Sequence, residues 1–486
     1  MEILFSWTSL IIIGHIIVIV GVTLRVIMMR LAVGSALAWI FLIFFLPFAG
    51  AAMYLVLGEK RLGRKRTHRA ASLWERYSRW LRALPRLMPD ERSGLSPEAL
   101  AVSRLPEGIL GTPVLPGNRL EIMDAAEPIL HSISADIDRA RYFCHLEFYI
   151  WNAGGTADEV CEALIRAATR GVTCRVLLDA MGSSRFLKSP WIQRLKESGV
   201  EIGVALAVGP WRTLIVRFDL RLHRKIVVID DEIAYTGGFN LVDPRFFKQE
   251  AGVGQWVDAM ARIEGPAVLT LNAVFMWDWE IETGRDLKAL PDPAKMASDA
   301  NRDPAACVQV VPSGPGSLGD SIHQLLLMAI YAARKELSMT TPYFVPDEAI
   351  TAALLAAARR GVAVTLILPA KNDSRLVHYT CRSHFDELLD AGVRIFGFNG
   401  GLLHTKSAVI DREISLFGTV NLDVRSFWLD FEVTLCVYDQ PFAERLLALQ
   451  QKYIEDSVAV DPAAWHARPG KERFIENLVR LCSPLL

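Results

Sequence analysis

The apolar positions near the N-terminus form two long runs with very few charges. The first, Leu10 to Val20, is almost wholly apolar, and the second, Leu31 to Leu57, carries no charged residue. With their flanks, both runs reach the roughly 20 residues that a helix needs to cross a bilayer. Only Glu2 precedes the first run, whereas a cleaved signal peptide would begin with basic residues. The pattern therefore predicts a two-helix transmembrane hairpin over residues 1–57.

The charges that flank the two runs predict the orientation of this hairpin. The stretch between the runs contains only Arg25 and Arg30. The stretch after the second run is strongly basic and contains Lys60, Arg61, Arg64, Lys65, Arg66 and Arg69. Because lysine and arginine accumulate on the cytoplasmic side of a membrane, we expect the bulk of the chain to lie in the cytoplasm.

Residues 58–116 are predicted to form a juxtamembrane segment followed by a linker. Aromatic residues alternate with arginines between positions 71 and 88, a pattern that is typical of a basic amphipathic helix lying on lipid headgroups. A solvated linker helix is an alternative interpretation of the same residues. The stretch from Ser93 to Asn118 is rich in proline, glycine and serine, which predicts a linker without regular structure.

From residue 117 onward, apolar helices alternate with short runs of β-branched residues, and the whole order of elements occurs twice. In each half an alanine-rich helix ends in Arg-Gly-Val and leads into a buried-looking strand, CRVLLDA in the first half and VTLILPA in the second. Helices of ten or more residues that alternate with such strands indicate α/β units. We therefore predict two tandem domains, 117–300 and 301–486, each with a mixed sheet covered by helices.

One motif, His-x-Lys-x4-Asp, occurs once in each predicted domain. An asparagine follows it at the same distance in both copies, so each pattern runs seventeen residues from the histidine to the asparagine. The two copies supply His223, Lys225, Asp230 and Asn240, and His404, Lys406, Asp411 and Asn421. Two matches with equal tails indicate that the chain consists of two related halves.

The spacing within the motif indicates phosphate chemistry. On a strand, side chains at positions i and i+2 point to the same side, so the imidazole and the ammonium group of one copy share a space. The asparagine adds a neutral amide donor, and this combination suits a phosphate whose charge is spread over its oxygens. Two facing copies would supply both histidines of a two-step phosphoryl transfer, one to attack and one to protonate the leaving oxygen.

Composition and charge narrow the functional class further. A hydrophobic content of 51% exceeds what a purely soluble chain needs, and the net charge of −1 gives no support to a nucleic-acid partner. The seven cysteines include no C-x-x-C pair, which indicates a reducing compartment without a cysteine metal site. No cluster of His, Asp and Glu has the spacing of metal ligands. We therefore expect neither a metal nor another cofactor.

The duplicated motif resembles that of the phospholipase D superfamily, and the resemblance spans roughly residues 117–486. Finer features are similar to the bacterial cardiolipin synthases: the apolar leader that ends in LVLGEKR, and the segments IEGPAV, PSGPG, TPYFVPD and NLDVRSFWLDFE. The superfamily motif ends in G-S-x-x-N or G-G-x-N, whereas the tails here read GGFN and GTVN. In the second tail Thr419 replaces the usual serine but keeps its hydroxyl.

The resemblance adds two carboxylates to the candidate site. In that family a carboxylate beyond each motif orients a catalytic imidazole, and the matching residues are Asp258, after His223, and Glu432, twenty-eight residues after His404. An acceptor on one ring nitrogen fixes the tautomer and leaves the other nitrogen basic. The resemblance also implies that the aspartates of the two motifs are structural partners.

The function that the resemblance implies is cardiolipin synthesis at the bacterial inner membrane. One histidine, preferably His223, attacks the phosphorus of phosphatidylglycerol while His404 protonates the departing glycerol. A second phosphatidylglycerol then takes the phosphatidyl group from the phosphohistidine and becomes cardiolipin. The lysines and asparagines of the motifs hold the phosphate oxygens, so no metal is required.

Other functions remain compatible with the same residues. A hydrolytic phospholipase D would use water as the acceptor, and a membrane-tethered phosphodiesterase or nuclease would need a basic groove. A catalytically inactive membrane scaffold is disfavoured because neither motif is degraded. The sequence leaves open whether phosphatidylethanolamine is a second substrate. It also leaves open whether residues 209–221, an insertion of the first half, contact lipid or form a packed loop.

Overall fold

The computed structural model describes residues 7–29, 31, 33–59, 61–84, 94–207, 217, 219–287, 289–292, 306–316 and 320–481. The chain divides into two compact units. The smaller comprises Met1–Lys65 and Val208–Asp219, and the larger comprises Arg66–Ala207 and Leu220–Leu486. Most of the insertion 209–221 lies outside the described residues, so the choice between lipid contact and a packed loop stays untested.

The described residues form helices α1 (Trp7–Met28), α2 (Val33–Phe45), α3 (Pro47–Met53), α4 (Arg64–Ala83), α5 (Pro97–Leu110), α6 (Ala126–Arg139), α7 (Ala157–Thr169), α8 (Pro190–Glu197), α9 (Ala267–Thr283), α10 (Ser321–Ala332), α11 (Glu348–Arg359), α12 (Arg375–Arg382), α13 (Phe385–Asp390), α14 (Val424–Trp428), α15 (Gln440–Glu455), α16 (Pro462–His466) and α17 (Gly470–Arg480).

They also form strands β1 (Leu115–Met123), β2 (Phe143–Phe148), β3 (Thr173–Asp179), β4 (Glu201–Ala205), β5 (Arg221–Leu222), β6 (Lys225–Ile229), β7 (Ile233–Gly237), β8 (Trp256–Val257), β9 (Met260–Glu264), β10 (Ala306–Ser313), β11 (Glu336–Thr340), β12 (Phe344–Val345), β13 (Ala363–Pro369), β14 (Arg394–Phe398), β15 (Leu402–Leu403), β16 (Ser407–Ile410), β17 (Ile414–Gly418), β18 (Leu422–Asp423), β19 (Asp430–Tyr438) and β20 (Ser457–Ala459).

A proline divides the second apolar run of the smaller unit. Helix α2 ends before Leu46, which has φ −130° and ψ 69°, and Pro47 begins α3, because a residue that precedes a proline avoids the helical conformation. A π-helical turn, Tyr54–Gly58, follows α3. Among the described residues, no helix combines the length and the hydropathy needed to span a membrane. The two-span hairpin over residues 1–57 therefore stays a prediction.

The larger unit contains one continuous mixed sheet to which both predicted domains contribute. Its strand order is β4-β3-β2-β6-β7-β9-β1, continued by β10-β19-β17-β16-β11-β13-β14-β20. In each half three neighbouring strands are parallel: β2, β3 and β4 in the first half, and β11, β13 and β14 in the second. The next strand toward the junction, β6 or β16, pairs antiparallel with them. The halves meet where β1 pairs antiparallel with β10. The predicted α/β class is confirmed, and the two sheets are joined edge to edge.

Strand β6, which follows the first motif histidine, lies inside this sheet and is covered on both faces. All five residues of β6 are buried. Ile226 and Val228 contribute to the core that α9 lines, and Val227 and Ile229 contribute to the core under α6 and α7. A strand that is covered on both faces is expected to be a continuous apolar run rather than an alternating one, as the four residues IVVI after Lys225 are.

The segment predicted to be a linker contains a helix of the second half. In α5, Ala99 and Val102 are fully buried in the core that α10 also lines. Ser96 accepts a hydrogen bond from the first turn as the N-cap, Pro97 is the first helical residue, and Gly111 ends the helix with φ 73°. The serine, proline and glycine that suggested a linker are therefore helix-capping residues.

Helix α4 packs on α9 from Arg66 onward. Its Tyr77 is buried against Trp277, with 5.0 Å between ring centres, and the Tyr77 hydroxyl donates to Glu280 at 3.1 Å. The indole N–H of Trp80 donates to the carbonyl oxygen of Pro291 at 2.8 Å. Protein therefore covers the aromatic face of the predicted amphipathic helix, which neither alternative had anticipated.

Removing residues 1–116 should destabilise the larger unit, whereas removing residues 1–63 should not. The longer deletion removes α4 and α5, and each large apolar side chain such as Val102 or Leu110 stabilises a fold by roughly 1.5–3 kcal/mol when buried. Losing several such side chains is a large part of a total stability of about 5–15 kcal/mol. Thermal unfolding in detergent, followed by circular dichroism, measures the difference. An equal Tm for both truncated chains would contradict the role of α5 in the core.

Candidate active site

The backbone of each motif histidine is held by a strand of the other half. Strand β5 pairs in parallel with the start of β19, and the N–H of His223 donates to Phe431 O at 2.9 Å. Strand β15 pairs in parallel with β8, and the N–H of His404 donates to Val257 O at 2.7 Å. These two exchanges bring the loops that precede both motifs into one place between the halves.

The orienting carboxylates are also exchanged between the halves. Nδ1 of His223 lies 2.9 Å from both carboxylate oxygens of Glu432, and Nδ1 of His404 lies 2.5 Å from Oδ2 of Asp258. Each histidine is therefore oriented by the carboxylate that follows the other motif in sequence. Because Nδ1 is occupied in both rings, Nε2 is the nitrogen left for chemistry.

Both motif lysines are buried beside the histidines. Nζ of Lys225 donates to the carbonyl oxygen of His223 at 2.5 Å, and Nζ of Lys406 lies 2.7 Å from Nδ1 and 3.2 Å from Nε2 of His404. Burial lowers the pKa of Lys225 to about 7 and that of Lys406 to about 8. A bound phosphate anion would offset this cost of burying two cations and hold both in the protonated form.

The motif strands begin later than the sequence predicted, at Lys225 in β6 and at Ser407 in β16. His223 and His404 therefore precede their strands, and the expected sharing of one strand face by the imidazole and the ammonium group needs correction. Lys406 does contact the ring of His404, whereas Lys225 contacts the backbone of His223. In both copies the residues just before the histidine, β5 and β15, pair with a strand of the other half, and the motif strand begins only after the histidine.

The two imidazoles are held in the neutral form. Burial, together with Lys225 and Lys406, lowers the pKa of His223 to about 4 although Glu432 opposes the shift. Burial and the nearby lysines lower the pKa of His404 well below its usual value. A neutral imidazole can attack phosphorus. A bound substrate anion raises the pKa of the other imidazole, which can then carry the proton that it needs to act as an acid.

The two carboxylates differ in their own titration. Burial raises the pKa of Asp258 to about 7, against the effect of both lysines. Burial also opposes ionisation of Glu432, but His223 and Lys225 outweigh it and the pKa of Glu432 is lowered. Glu432 is thus a stable anion beside His223, whereas in the free enzyme the buried Asp258 holds a proton more readily than the imidazole of His404 does.

The asparagines that end the motifs present unpaired polar atoms in the buried site. Oδ1 of Asn240 accepts from the N–H of Ile150 at 3.2 Å. Among the described residues, the side-chain nitrogen of Asn240 and the side-chain oxygen of Asn421 have no hydrogen-bond partner. A buried amide without a partner is costly, so an acceptor such as a phosphate oxygen would satisfy the nitrogen of Asn240, and a donor such as a hydroxyl would satisfy the oxygen of Asn421.

The residues of the two tails fit their surroundings for different reasons. A Cβ atom at Gly238 would lie 2.2 Å from Oδ1 of Asp258 and 3.0 Å from the carbonyl oxygen of His404. The matching Thr419 instead accepts from the N–H of Val433 at 2.9 Å and donates to its carbonyl oxygen at 3.2 Å. The first tail therefore needs glycine, whereas the hydroxyl of the second fixes the strand that carries the catalytic carboxylate.

The motif aspartates lie at the opposite end of their strands from the histidines. Asp230 accepts three backbone N–H groups at 2.7–2.9 Å, from Arg141, Tyr142 and Phe143. Asp411 accepts the N–H groups of the three residues that begin at Arg334, at 2.7–2.8 Å. Both stand at positive φ in the turn after the strand. Each thus fixes the start of a neighbouring strand without reaching the histidines.

Three aromatic rings around the histidines were not predicted. The ring centre of Trp256 lies 4.3 Å from that of His404, and the ring centre of Tyr149 lies 4.9 Å from that of His223. Tyr343 stands edge-on to His404 at 6.4 Å. The position of Trp256, two residues before Asp258, was a signal for its presence on the same side of the chain.

Arg224 joins Glu432 to the rest of the larger unit. Its side chain is fully buried, pairs with Asp278, and donates to the carbonyl oxygens of Glu432 at 2.9 Å and Ser313 at 3.1 Å. The corresponding residue of the second motif, Thr405, only exchanges a hydrogen bond with Tyr453. The site is therefore asymmetric behind its two histidines.

A buried acid without a hydrogen-bond partner lies beside this arginine. Both side-chain oxygens of Glu147 are unpaired among the described residues, and burial raises its pKa to about 7 although Arg224 and Arg66 oppose the shift. Arg66 of α4 pairs with Glu282 and lies 4.2 Å above the ring of Phe431. The residue before Glu432 is thus packed by the helix that follows the predicted hairpin.

The described residues contain no group of three or more His, Cys, Asp or Glu side chains placed to hold a metal ion. Two histidines outside the motifs have polar side-chain partners of their own. Nδ1 of His145 lies 2.8 Å from Asn272, and Nε2 of His323 lies 2.7 Å from Asp347. Lys225 and Lys406 are the buried lysines beside the two motif histidines.

Comparison with known proteins identifies the family of this site. The sequence profile described as "Cardiolipin synthase, PLD-like domain" matches residues 133–279 and 326–453. The chain is 46% identical to "Cardiolipin synthase A" of Cronobacter sakazakii over 489 residues, which cover 99% of this chain and 98% of that protein. It is also 46% identical to "Cardiolipin synthase A" of Salmonella arizonae over 484 residues, with the same coverage.

A solved structure with low sequence identity has the same fold. The phosphatidylserine synthase of Haemophilus influenzae matches with a TM-score of 0.59 and 14% identity, and the match covers 79% of this chain and 100% of that chain. The full-length relatives and the profile carry the assignment beyond the fold. The chain therefore belongs to the bacterial cardiolipin synthases of the phospholipase D superfamily and is a phosphatidyltransferase.

Proposed function

We propose that this enzyme makes cardiolipin from two molecules of phosphatidylglycerol through a phosphohistidine. In the first step Nε2 of His223 attacks the phosphorus, the bond to the headgroup glycerol breaks, and His404 gives its proton to the departing oxygen. In the second step His404 takes the proton of a terminal glycerol hydroxyl of another phosphatidylglycerol. That oxygen attacks the phosphorus, the P–N bond breaks, and cardiolipin is released.

The exchange of carboxylates between the halves is the observation that carries this proposal. Two imidazoles with Nδ1 bound to an acceptor leave two Nε2 atoms for attack and protonation, as a two-step transfer needs. The lowered pKa of Glu432 favours His223 as the nucleophile, because a nearby anion increases the basicity of the ring. His404, whose Nδ1 contacts Asp258, is then left for the acid and base role.

The motif side chains are proposed to bind the phosphate. Lys225 and Lys406 place two cations at the transferred group, and Nδ2 of Asn240 is a donor that awaits an acceptor. Asp230 and Asp411 support the strands that carry these groups and take no part in proton transfer. Stabilisation of charge on the phosphate oxygens by such fixed donors is commonly the largest catalytic contribution.

We further propose that residues 1–57 attach the enzyme to the bacterial inner membrane, with the larger unit in the cytoplasm. Many apolar side chains of α1 and α2 are exposed, among them Ile16, Ile17, Leu24, Leu37 and Phe41. Bilayer lipid is the partner that exposed apolar helices in a lipid-metabolising enzyme require. The basic residues after α3 support the cytoplasmic placement.

The acceptor is tested by the products. Purified enzyme that is given phosphatidylglycerol should release glycerol and form cardiolipin in equal amounts, with little phosphatidic acid. One phosphodiester replaces another of similar energy, so excess glycerol should convert cardiolipin back to phosphatidylglycerol. Thin-layer chromatography of the lipids together with an enzymatic glycerol assay measures both. Phosphatidic acid as the main product, insensitive to added glycerol, would instead identify a hydrolytic phospholipase D.

A further inference from the structure

A set of exposed apolar side chains lies on elements next to the candidate site. We name Phe246, Leu376, Phe474, Leu478 and Leu481 the apolar rim, and their exposed fractions are 59%, 51%, 66%, 52% and 77%. Phe246 belongs to the first half, Leu376 to α12, and the other three to α17 and the residue after it. Water-exposed phenylalanine and leucine side chains in this number indicate an interaction surface.

The rim is connected to the wall of the site by an ion pair between the halves. Nζ of Lys248, two residues after Phe246, lies 3.2 Å from the carboxylate of Asp373, three residues before Leu376. The same carboxylate accepts from the Tyr343 hydroxyl at 3.0 Å. Tyr343 in turn faces the ring of His404. The two rim residues on either side of this ion pair, Phe246 and Leu376, therefore lie next to the wall of the site that faces His404.

Helix α17 is fixed on α12 by its polar side, which leaves its apolar side uncovered. The buried carboxylate of Glu476 binds Arg382 of α12 at 2.7 Å and Arg468 at 2.9 Å. Phe474, Leu478 and Leu481 follow the spacing i, i+4 and i+7, which places them on one face of a helix. Because these ion pairs hold the polar side of α17 against the protein, its apolar side chains point outward.

The charges around the rim suit an anionic surface. Arg375, Lys471 and Arg473 are exposed beside the rim residues in sequence. Apolar side chains flanked by basic ones are typical of segments that lie in the interface of a bilayer containing anionic lipid. Phosphatidylglycerol, the proposed substrate, carries one negative charge in its headgroup and is itself such a lipid.

We infer that the apolar rim inserts into the bilayer leaflet that holds the substrate and thereby places the entrance of the site against the lipid headgroups. This inference rests on the proposed function, because it takes the substrate to be a lipid within a membrane. The rim adds a second membrane contact to the N-terminal attachment. The attachment keeps the enzyme at the membrane, and the rim sets which side of the larger unit faces it.

The first test compares substrate in a bilayer with substrate in solution. The full chain, reconstituted in nanodiscs, carries Phe474→Ser together with Leu478→Ser, or Phe246→Ser alone. Cardiolipin formation from bilayer phosphatidylglycerol should fall about tenfold in the double variant, since two apolar side chains no longer enter lipid. In detergent-free solution, transfer between short-chain phosphatidylglycerol molecules below their critical micelle concentration should change less than about twofold. Tyr142→Ser is the matched control, because Tyr142 is 69% exposed beside Asp230.

Each result of this comparison either supports or contradicts insertion of the apolar rim into lipid. A selective loss on bilayer substrate supports the inference. An equal loss on both substrates would assign the rim to the structure of the site, and no loss on either would show that the rim does not contact lipid. The rate on soluble substrate reports the proposed transfer reaction by itself, so failure of that reaction is seen separately.

The second test does not depend on activity. A spin label is placed at position 474 or 142 of the full chain in nanodiscs, with Cys381 and Cys482 replaced by serine. The label at position 474 should collide with oxygen, which concentrates in lipid, more often than with a water-soluble nickel chelate, and the label at position 142 should do the reverse. A water-accessible label at 474 would overturn the inference. So would strong dipolar coupling between the 474 labels of two chains, because a second copy would then cover the rim.

Discussion

Replacing either motif histidine by alanine should lower cardiolipin formation by at least about 10³-fold, and the double variant should be no slower than the single ones. His223 and His404 act as one unit, and the effects of residues that act together are not additive. Lipid chromatography after a fixed time measures the loss. The matched control is His131→Ala, whose imidazole is half exposed and lies 3.3 Å from Glu159.

A substrate with a good leaving group separates the roles of the two histidines. If His223 is the nucleophile, His404→Ala should still release about one equivalent of nitrophenol per enzyme from a phosphatidyl nitrophenyl ester, because that group leaves without protonation. The phosphatidyl group should remain attached to His223, where mass spectrometry detects it. His223→Ala should give no such burst. The reverse outcome would make His404 the nucleophile and leave the rest of the mechanism intact.

Glu432→Gln and Asp258→Asn should each slow the enzyme by about 10²-fold or more, but at different steps. An amide in place of an orienting carboxylate favours the wrong tautomer of the ring that it contacts. Since Glu432 contacts His223 and Asp258 contacts His404, Glu432→Gln should suppress the nitrophenol burst and Asp258→Asn should preserve it. The burst amplitude in a stopped-flow absorbance experiment distinguishes them.

The same pair of variants tests the exchange between the halves. If each carboxylate served the histidine of its own half, Asp258→Asn would remove the burst and Glu432→Gln would spare it. Folding of both variants is checked by their thermal unfolding, because a buried amide without a partner also costs stability. A normal Tm with an altered burst assigns the effect to orientation of the imidazole.

Much of the fold and the site could be predicted because its signals are local. The alternation of apolar helices with β-branched runs predicted the two α/β halves. The two motif copies predicted the histidines and lysines of the candidate site, although only Lys406 contacts the ring of its histidine. The start of the motif strands was wrong by two or three residues. At each histidine, β5 or β15 pairs with a strand of the other half. Such a pairing joins residues that are far apart in the sequence, so no pattern of neighbouring residues indicates it.

The remaining differences share this cause. Ser96, Pro97 and Gly111 are as typical of a linker as of helix caps, and only the core of the second half shows that α5 belongs to it. Arg224 gains its importance from Glu432, which follows 208 residues later in the chain. Trp256 was identifiable from its spacing to Asp258, although it contacts the histidine of the other half. Tyr149 and Tyr343 contact the histidine of their own half, and no spacing to the motifs indicated them.

The exchange of carboxylates also determines when a newly made molecule first becomes active. Glu432 is 209 residues beyond His223, which a ribosome adds in roughly 10–40 s at about 5–20 residues per second. In a chain that ends before Glu432, His223 has no carboxylate to orient its ring. His404 then has no correctly oriented His223 with which to act. On the proposed mechanism, an enzyme that is synthesised beside its own substrate should therefore react only slowly with membrane lipids until Glu432 has joined the fold.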